Sequence, residues 1–228
     1  MRVIEASAPG RCGIVGNPSD IYGGVVLSCS TPARAKCRIT LGGPTQLPAD
    51  PTIWNAVTAR FPLDSAQVEW QSDIPRSSGL AGSTALLAAT LACVITARSE
   101  SLSLRSRIDR SRMAELVRDI EKNEMGVQCG FQDAYMSVYG GLQRMEFSGK
   151  SPEKVGPHAT LENLDSELPF LLVTTGVERL SGSVHGPVIQ RWLAGDIDVK
   201  KSVREIIQIG AQGAAALIRW DLQSFLTC

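Results

Sequence analysis

Four polar sites in the sequence lie beside glycine-rich turns and could carry out chemistry: Asp20, the pair Ser83 and Thr84, Glu121, and Asp133. A hydroxyl together with a carboxylate suits Mg²⁺, which keeps several waters and shares the phosphates of a nucleotide. Phosphoryl transfer needs such a metal, a cradle for phosphates, and a carboxylate that orients or deprotonates the attacking hydroxyl. The residue types therefore fit phosphoryl transfer. Each also has an ordinary interpretation, because an Asp in a turn is commonly an Asx cap and a helical Glu commonly faces solvent.

The candidate phosphate cradle is the stretch from Pro75 to Ala89, which reads PRSSGLAGSTALLAA. Gly79 and Gly82 can adopt positive φ and let a ligand approach the backbone closely. Ser83 and Thr84 stand where a helix N-cap and first turn are expected. The free N–H groups and the positive dipole end of such a helix favour an anion. A tight turn without a ligand remains the alternative for this loop taken alone.

The elements that must position these residues begin with strands. We predict strands at Val3–Ala8, Arg11–Val15, Val25–Cys29, Ala33–Leu41 and Val68–Gln71, with a break at Pro9-Gly10 and a helix over Thr52–Phe61. Several strands thus precede the first long helix. This order favours an α+β fold over a doubly wound parallel sheet.

The helix that follows the cradle, from about Thr84 to Ala97, is apolar nearly all round, which predicts a buried central helix. Later elements are predicted from periodicity and capping residues. They are helices over Ser111–Met125, Gly182–Ala194 and Ser202–Ile218, and strands over Leu142–Phe147 and Phe170–Thr175.

Composition excludes several function classes. Among 228 residues, Lys+Arg and Asp+Glu balance at 23 each, so no net charge favours nucleic acid or a membrane surface. No apolar run approaches the about 18 residues of a membrane-spanning helix, and the N-terminus does not resemble a signal peptide. The six cysteines form no CxxC pair. A cytoplasmic protein with reduced thiols and no nucleic-acid or membrane partner is expected.

Three segments resemble the motifs of the GHMP small-molecule kinases. Residues 9–20, PGRCGIVGNPSD, resemble the first motif, and residues 79–85, GLAGSTA, resemble the ATP-phosphate-binding motif. Residues 130–133, GFQD, followed by the YGG of residues 139–141, resemble the segment that supplies the catalytic aspartate. The resemblance implies an α+β, ribosomal protein S5 domain 2-like fold with a mixed sheet packed against helices. It implies an N-terminal ATP-binding domain over residues 1–165 and the beginning of a substrate-side region over residues 166–228.

Within this family the sequence is most similar to the glucuronokinase-like branch. Residues 16–20 read GNPSD, where sugar kinases such as galactokinase usually have Gly-Glu-His-Thr-Asp. Residues 181–185, SGSVH, and 190–196, QRWLAGD, also resemble that branch, although His185 and Arg191 could equally be surface or packing residues. The resemblance implies ATP-dependent phosphorylation of a monosaccharide at its anomeric hydroxyl, with a uronic acid such as glucuronate as the expected substrate.

The resemblance also implies roles for individual residues. Asp133 is the expected catalytic base, and Ser83, Thr84 and Glu121 are the expected Mg²⁺ ligands. Arg179 is a candidate partner for a uronate carboxylate, since a guanidinium group suits bidentate recognition. The expected ATP-phosphate contacts are Pro75, Ser78, Gly79, Leu80, Ala81, Gly82, Ser83 and Thr84, and the expected sugar contacts are Arg11, Asn17, Ser19, Asp20 and Arg179.

Two departures from the family pattern bear on activity. Ala81 and Thr84 stand where Gly and Ser are commoner, and both are small enough to keep the loop plausible. No third glycine-rich motif follows His185, whereas family members carry one in a second domain. An exposed apolar face is therefore expected where the missing domain would pack, and a partner, a homodimer or instability would be its consequence. The alternatives are an active sugar kinase and an inactive module that binds nucleotide or sugar only.

Overall fold

The computed structural model describes residues 1–98, 106–165, 170–173, 175–177 and 182–228. The expected boundary between residues 165 and 166 falls at the edge of residues 166–169, which lie outside the described residues.

A five-stranded sheet forms one layer of the fold. Its strands are β1 (Arg2–Val15), β2 (Val25–Leu41), β3 (Gln67–Ser72), β4 (Leu142–Glu146) and β5 (Thr160–Asn163). The ladders β1–β2, β2–β3, β2–β4 and β4–β5 are antiparallel, and a single parallel bridge joins Gln46 and Gln67. Along its second edge, β2 pairs first with β4 and then with β3. The long strand β2 therefore organises the sheet.

Seven α-helices and a 3-10 turn complete the described fold. The turn is Ser19–Tyr22, and the helices are α1 (Thr52–Arg60), α2 (Gly82–Ala97), α3 (Arg107–Asn123), α4 (Gln132–Tyr139), α5 (Gly182–Leu193), α6 (Ile197–Ile218) and α7 (Leu222–Leu226). As predicted, α2 is the buried central helix: it packs on β1 and β2, and Leu87 and Leu91 are fully buried. The α+β prediction is confirmed.

The strand β1 runs without a break through Pro9-Gly10, so the predicted interruption there was wrong. The ladder absorbs the proline through a register shift between Pro9 and Arg11, as a bulge permits. Just after this shift, the N–H of Arg11 donates to the carbonyl of Leu80 at 3.0 Å. The bulged strand is thereby joined to the loop that precedes α2.

Other local predictions were also wrong. The two strands predicted over Val25–Cys29 and Ala33–Leu41 form the single strand β2, and α3 begins at Arg107 and not at Ser111, because Ser106 is its N-cap. Residues 170–173 and 175 form no strand, while β5 was not predicted. Helix α6 begins earlier than expected, at Ile197, because the Asp196 carboxylate caps it and accepts from the N–H groups of Asp198 and Val199 at 3.0 and 3.1 Å.

Apolar side chains are exposed in residues 170–173 and at residue 177. Leu171 is 88% exposed, and Val173 and Val177 are also exposed. Contiguous apolar exposure of this kind marks an interaction site or an aggregation liability. Among the described residues, no helix has both the length and the apolar character needed to cross a membrane.

We predict that Gly10→Ala lowers the free energy of unfolding by about 1–3 kcal/mol, as overpacking does. A Cβ at this residue would lie 2.7 Å from the Thr31 hydroxyl oxygen and 2.9 Å from the Leu80 carbonyl oxygen. Urea denaturation measures the change. Gly43→Ala is the matched control, because its nearest neighbour would lie at 3.5 Å. Equal stability of the two variants would contradict the close approach of strand and loop.

Candidate active site

An open cleft of about 1350 Å³ lies where the start of α2, the start of α4, β1 and the first turn of α5 approach one another. Residues from all three predicted motif segments line it. Among the described residues, every predicted site residue lines the cleft except Ser19. The buried Ser19 hydroxyl instead donates to the Val25 carbonyl at 3.2 Å, which stabilises the 3-10 turn. Arg179 lies outside the described residues.

The loop from Pro75 to Ala81 leads directly into α2. The Ser78 hydroxyl donates to the Pro75 carbonyl at 2.7 Å and closes the turn. The N-cap is Ala81, in the left-handed conformation with φ of 59°, so the expectation that Ser83 and Thr84 begin the helix was wrong. Ala81 offers no side-chain cap. The first N–H groups of α2 consequently lack a side-chain acceptor and can meet an anion.

Asp133 lies in the first turn of α4, where Arg11 of β1 holds it. Both Nε and Nη2 of Arg11 contact Oδ1 of Asp133, at 2.7 and 2.6 Å. The Asp133 side chain stays 28% exposed to the cleft. Another nitrogen of Arg11 donates to the Gly79 carbonyl. Arg11 thus connects the candidate base to the candidate phosphate loop.

Asp20 is almost completely buried and binds the start of α4. Its Oδ2 accepts from the N–H groups of Phe131 and Gln132, at 2.6 and 2.9 Å. Burial raises the pKa of the Asp20 carboxyl, and the two backbone bonds act in the opposite direction. Any Cβ on Gly130 would collide with this carboxylate, so glycine is required there. The sequence anticipated a sugar contact for Asp20 but not this helix cap.

Glu121, on α3, faces the helix start from the other side. Its Oε1 accepts from the Thr84 hydroxyl at 2.7 Å. Burial, then the nearby charge of Asp133, raises the Glu121 pKa to about 7, although the Thr84 bond lowers it. Among the described residues, the buried Oε2 has no hydrogen-bond partner. An unpartnered buried oxygen is costly, so a bound cation would satisfy it.

Cys129 and Gln132 are among the cleft residues that sequence reasoning did not assign. Burial raises the pKa of the Cys129 thiol, which also lies against Glu121. The Gln132 side chain is buried, and its amide donates to the Ser28 hydroxyl at 3.0 Å. Proximity to Asp133 in the motif was the signal available for both. Gln132 lies in the first turn of α4, and its inward orientation depends on the packing of α4 against β2.

Comparison with known proteins identifies the matched domain. Residues 52–141 match the family model of the "GHMP kinases N terminal domain". Glucuronokinase 1 of Arabidopsis thaliana is 34% identical over 156 residues, which are 68% of this chain and 41% of that protein. The chain therefore spans about two fifths of the length of that curated relative. A D-glycero-alpha-D-manno-heptose 7-phosphate kinase of Campylobacter jejuni is 28% identical. The alignment covers 74% of this chain and 58% of the length of that kinase.

Solved structures agree on the fold. A D-glycero-D-manno-heptose 1-phosphate kinase from Bacteriodes thetaiotaomicron superposes with a TM-score of 0.66 at 21% identity, over 98% of this chain and 76% of that one. Lactococcus lactis galactokinase, complexed with galactose, superposes with a TM-score of 0.64 at 14% identity, over 98% of this chain and 72% of that one. At these identities the likeness shows the fold alone.

We predict that Ala81→Gly raises the free energy of unfolding by about 1 kcal/mol. An alanine pays a steric penalty at φ of 59° that glycine does not. Ala215→Gly, within α6, is the matched control and should lower stability by about 1 kcal/mol, because glycine weakens a helix interior. Chemical denaturation measures the free energy of unfolding of both variants. A decrease for Ala81→Gly equal to that for Ala215→Gly would contradict strain at the N-cap.

We predict a pH-dependent effect of Glu121→Gln on stability without divalent cations. Because the Glu121 pKa rises on folding from 4.5 to about 7, the folded state holds the extra proton in this range. The contribution of Glu121 to the unfolding free energy therefore falls as pH rises from 4.5 to above 7. Between pH 4.5 and pH 8, the unfolding free energy of Glu121→Gln should therefore rise by up to about 3 kcal/mol relative to that of the unsubstituted protein.

Urea unfolding at the two pH values, in the presence of a chelator, measures this gain. The exposed Glu153→Gln serves as control and should show no such dependence. A difference between Glu121→Gln and the unsubstituted protein that stays constant with pH would contradict a raised pKa.

Proposed function

Since residues 52–141 form a GHMP kinase N-terminal domain, we propose that this protein is a sugar kinase that transfers the γ-phosphoryl group of ATP. The acceptor we propose is the anomeric hydroxyl of a uronic acid such as glucuronate. The observation that carries the proposal is the convergence of Arg11, Glu121, Asp133 and the uncapped start of α2 in one cleft. These groups come from distant parts of the chain, and together they supply the parts that phosphoryl transfer needs.

The start of α2 would bind the ATP phosphates. Its N–H groups from Gly82 onwards point to where an anion is favoured, and the helix dipole adds to the attraction. The carbonyl of Gly79 is held by Arg11, which keeps the loop against β1. A loop fixed in this way needs no reorganisation when phosphates arrive, and that lowers the cost of binding them.

Ser83, Thr84 and Glu121 are the residues that would hold Mg²⁺. The unpartnered Oε2 of Glu121 and the adjacent Thr84 hydroxyl fit a metal that takes few protein ligands. When bound, Mg²⁺ would neutralise negative charge on the phosphates. The buried carboxylate would then remain ionised at neutral pH, because an adjacent cation favours its charged form.

Asp133 would orient the sugar hydroxyl and accept its proton. Both bonds from Arg11 end on Oδ1, so Oδ2 is available to the substrate. The guanidinium group fixes the direction of the carboxylate through these two bonds. Since Arg11 also binds the phosphate loop, the base and the phosphoryl donor are held by one side chain. This arrangement supports positioning as the main source of catalysis.

The substrate class rests on relatives and on motif residues. Two Arabidopsis thaliana relatives, at 34% and 33% identity, carry the names glucuronokinase 1 and probable glucuronokinase 2. Asn17 and Asp20, within the GNPSD segment, line the cleft beside Asp133 and are our proposed sugar contacts. Arg179, the sequence-based candidate for the uronate carboxylate, stays a proposal. Residues 1–165 are the proposed ATP-binding domain, and residues 166–228 the proposed start of the substrate-side region.

A second candidate is a module that binds nucleotide or sugar without turnover. The kinase is favoured instead by the suitable side chains at the proposed catalytic positions of the cleft. Turnover decides between the two.

We predict that Asp133→Asn lowers kcat by about 10²–10⁴-fold, the usual contribution of a general base. The measurement is ATP-dependent phosphorylation of a panel of monosaccharides and uronic acids by the purified chain. Asp64→Asn is the control, because Asp64 is exposed and lies outside the cleft. Equal rates for Asp133→Asn and the unsubstituted protein would contradict the assigned base. Absence of turnover with every sugar would overturn the kinase proposal, and binding without turnover would favour the module.

A further inference from the structure

The sugar end of the cleft presents a problem of charge for an acidic substrate. Asp20 and Asp133 both line it, and a uronate would bring a further carboxylate. Like charges brought together in a partly desolvated cleft repel one another. An acidic sugar would therefore need a cation within reach of its carboxylate, beyond the one that neutralises Asp133.

Among the described residues that line the cleft, the candidates for this cation are Arg11, Arg76 and His185. Arg11 is already engaged by Asp133 and by the Gly79 carbonyl. Arg76 belongs to the loop before α2, on the side of the phosphate cradle. His185 approaches from α5, on the side of Asp20.

The packing of α5 explains why His185 faces the sugar end. Ile189 lies one helical turn after His185 and therefore on the same face. This isoleucine is buried in a cluster with Ile21 and Tyr22, which directly follow Asp20 in the chain. Trp192 adds a ring contact with Tyr22, at a centroid distance of 4.8 Å. The helix is thus anchored with its first turn above Asp20.

The electrostatics agree with this placement. Burial is the main reason that the pKa of Asp20 is raised, and the charge of His185 acts in the opposite direction. The His185 side chain is partly buried, and among the described residues it has no hydrogen-bond or ion-pair partner. A neutral imidazole has one ring nitrogen that can donate a hydrogen bond to a carboxylate, and both nitrogens donate when the ring is protonated.

We infer that His185 determines the preference of this site for an acidic sugar, by donating to the carboxylate of a uronate bound between α5 and Asp133. The inference rests on the proposed sugar-kinase function. It gives His185 a role in specificity, since the imidazole would touch the carboxylate and not the reacting hydroxyl. A packing role alone would leave the preference between acidic and neutral sugars unchanged when the charge is removed.

The test compares glucuronate with glucose, which lacks the carboxylate. For His185→Gln we expect the ratio of kcat/KM for glucuronate to that for glucose to fall about 10- to 100-fold, as expected for loss of a charged hydrogen bond. His185→Arg keeps the positive charge and should retain most of the ratio. His158→Gln, which changes the other, exposed histidine of the chain, is the matched control and should leave the ratio unchanged.

Equilibrium binding of both sugars, measured by titration calorimetry, separates the two proposals. If glucuronate binds in preference to glucose and His185→Gln abolishes that preference, the inference is supported even when no sugar is phosphorylated. The absence of phosphorylation would then overturn the kinase function alone. An unchanged preference in His185→Gln, whether in turnover or in binding, would overturn the inference and leave the kinase proposal intact. A protein that neither binds nor phosphorylates glucuronate in preference to glucose would overturn the role of His185.

Discussion

The cleft depends on the bond between a buried carboxylate and the start of a helix. Oδ2 of Asp20 accepts from the N–H groups of Phe131 and Gln132, so the 3-10 turn after β1 is joined to α4. An anion at a helix N-terminus is stabilised both by the hydrogen bonds and by the dipole. Since Asp133 lies in the first turn of that helix, its direction follows from this cap. Gly130 leaves the room that the carboxylate occupies.

Three of the carboxylates that line the cleft are each stabilised by a different set of donors. The Asp20 carboxyl has two backbone donors, Asp133 has the guanidinium of Arg11, and Glu121 has the Thr84 hydroxyl. The charge of Asp133 adds to burial in raising the Glu121 pKa. Clustering of like charges destabilises a fold, and it is found where function requires it. The incomplete satisfaction of Glu121 is what makes this side of the cleft suited to a cation.

Arg11 and β1 give the site its rigidity. The register shift beside Pro9 and the absence of a side chain at Gly10 let the strand bond directly to the loop before α2. The side chain of Arg11 then reaches both that loop and Asp133. Groups carried by a strand of a central sheet move less than groups carried by loops alone. The left-handed Ala81 at the N-cap is a local strain that this framework sustains.

The sequence by itself determined the α+β class, the buried helix α2 and the order of the motifs, because apolar periodicity and glycine-rich turns are local signals. It also identified the residue types of the cleft, and the resemblance to GHMP kinases was confirmed by the matched domain. Only the tertiary structure decided which residues face the cleft. Ser19 turns inward to Val25, Asp20 caps a helix that begins more than a hundred residues later, and His185 is placed by the packing of α5 on Tyr22. Local patterns could not show these facts, since the bonds join residues far apart in sequence, and their geometry follows from how helices and sheet pack. The same reason explains the continuous β1, where pairing with β2 along the whole strand overrode the local signal of Pro9-Gly10.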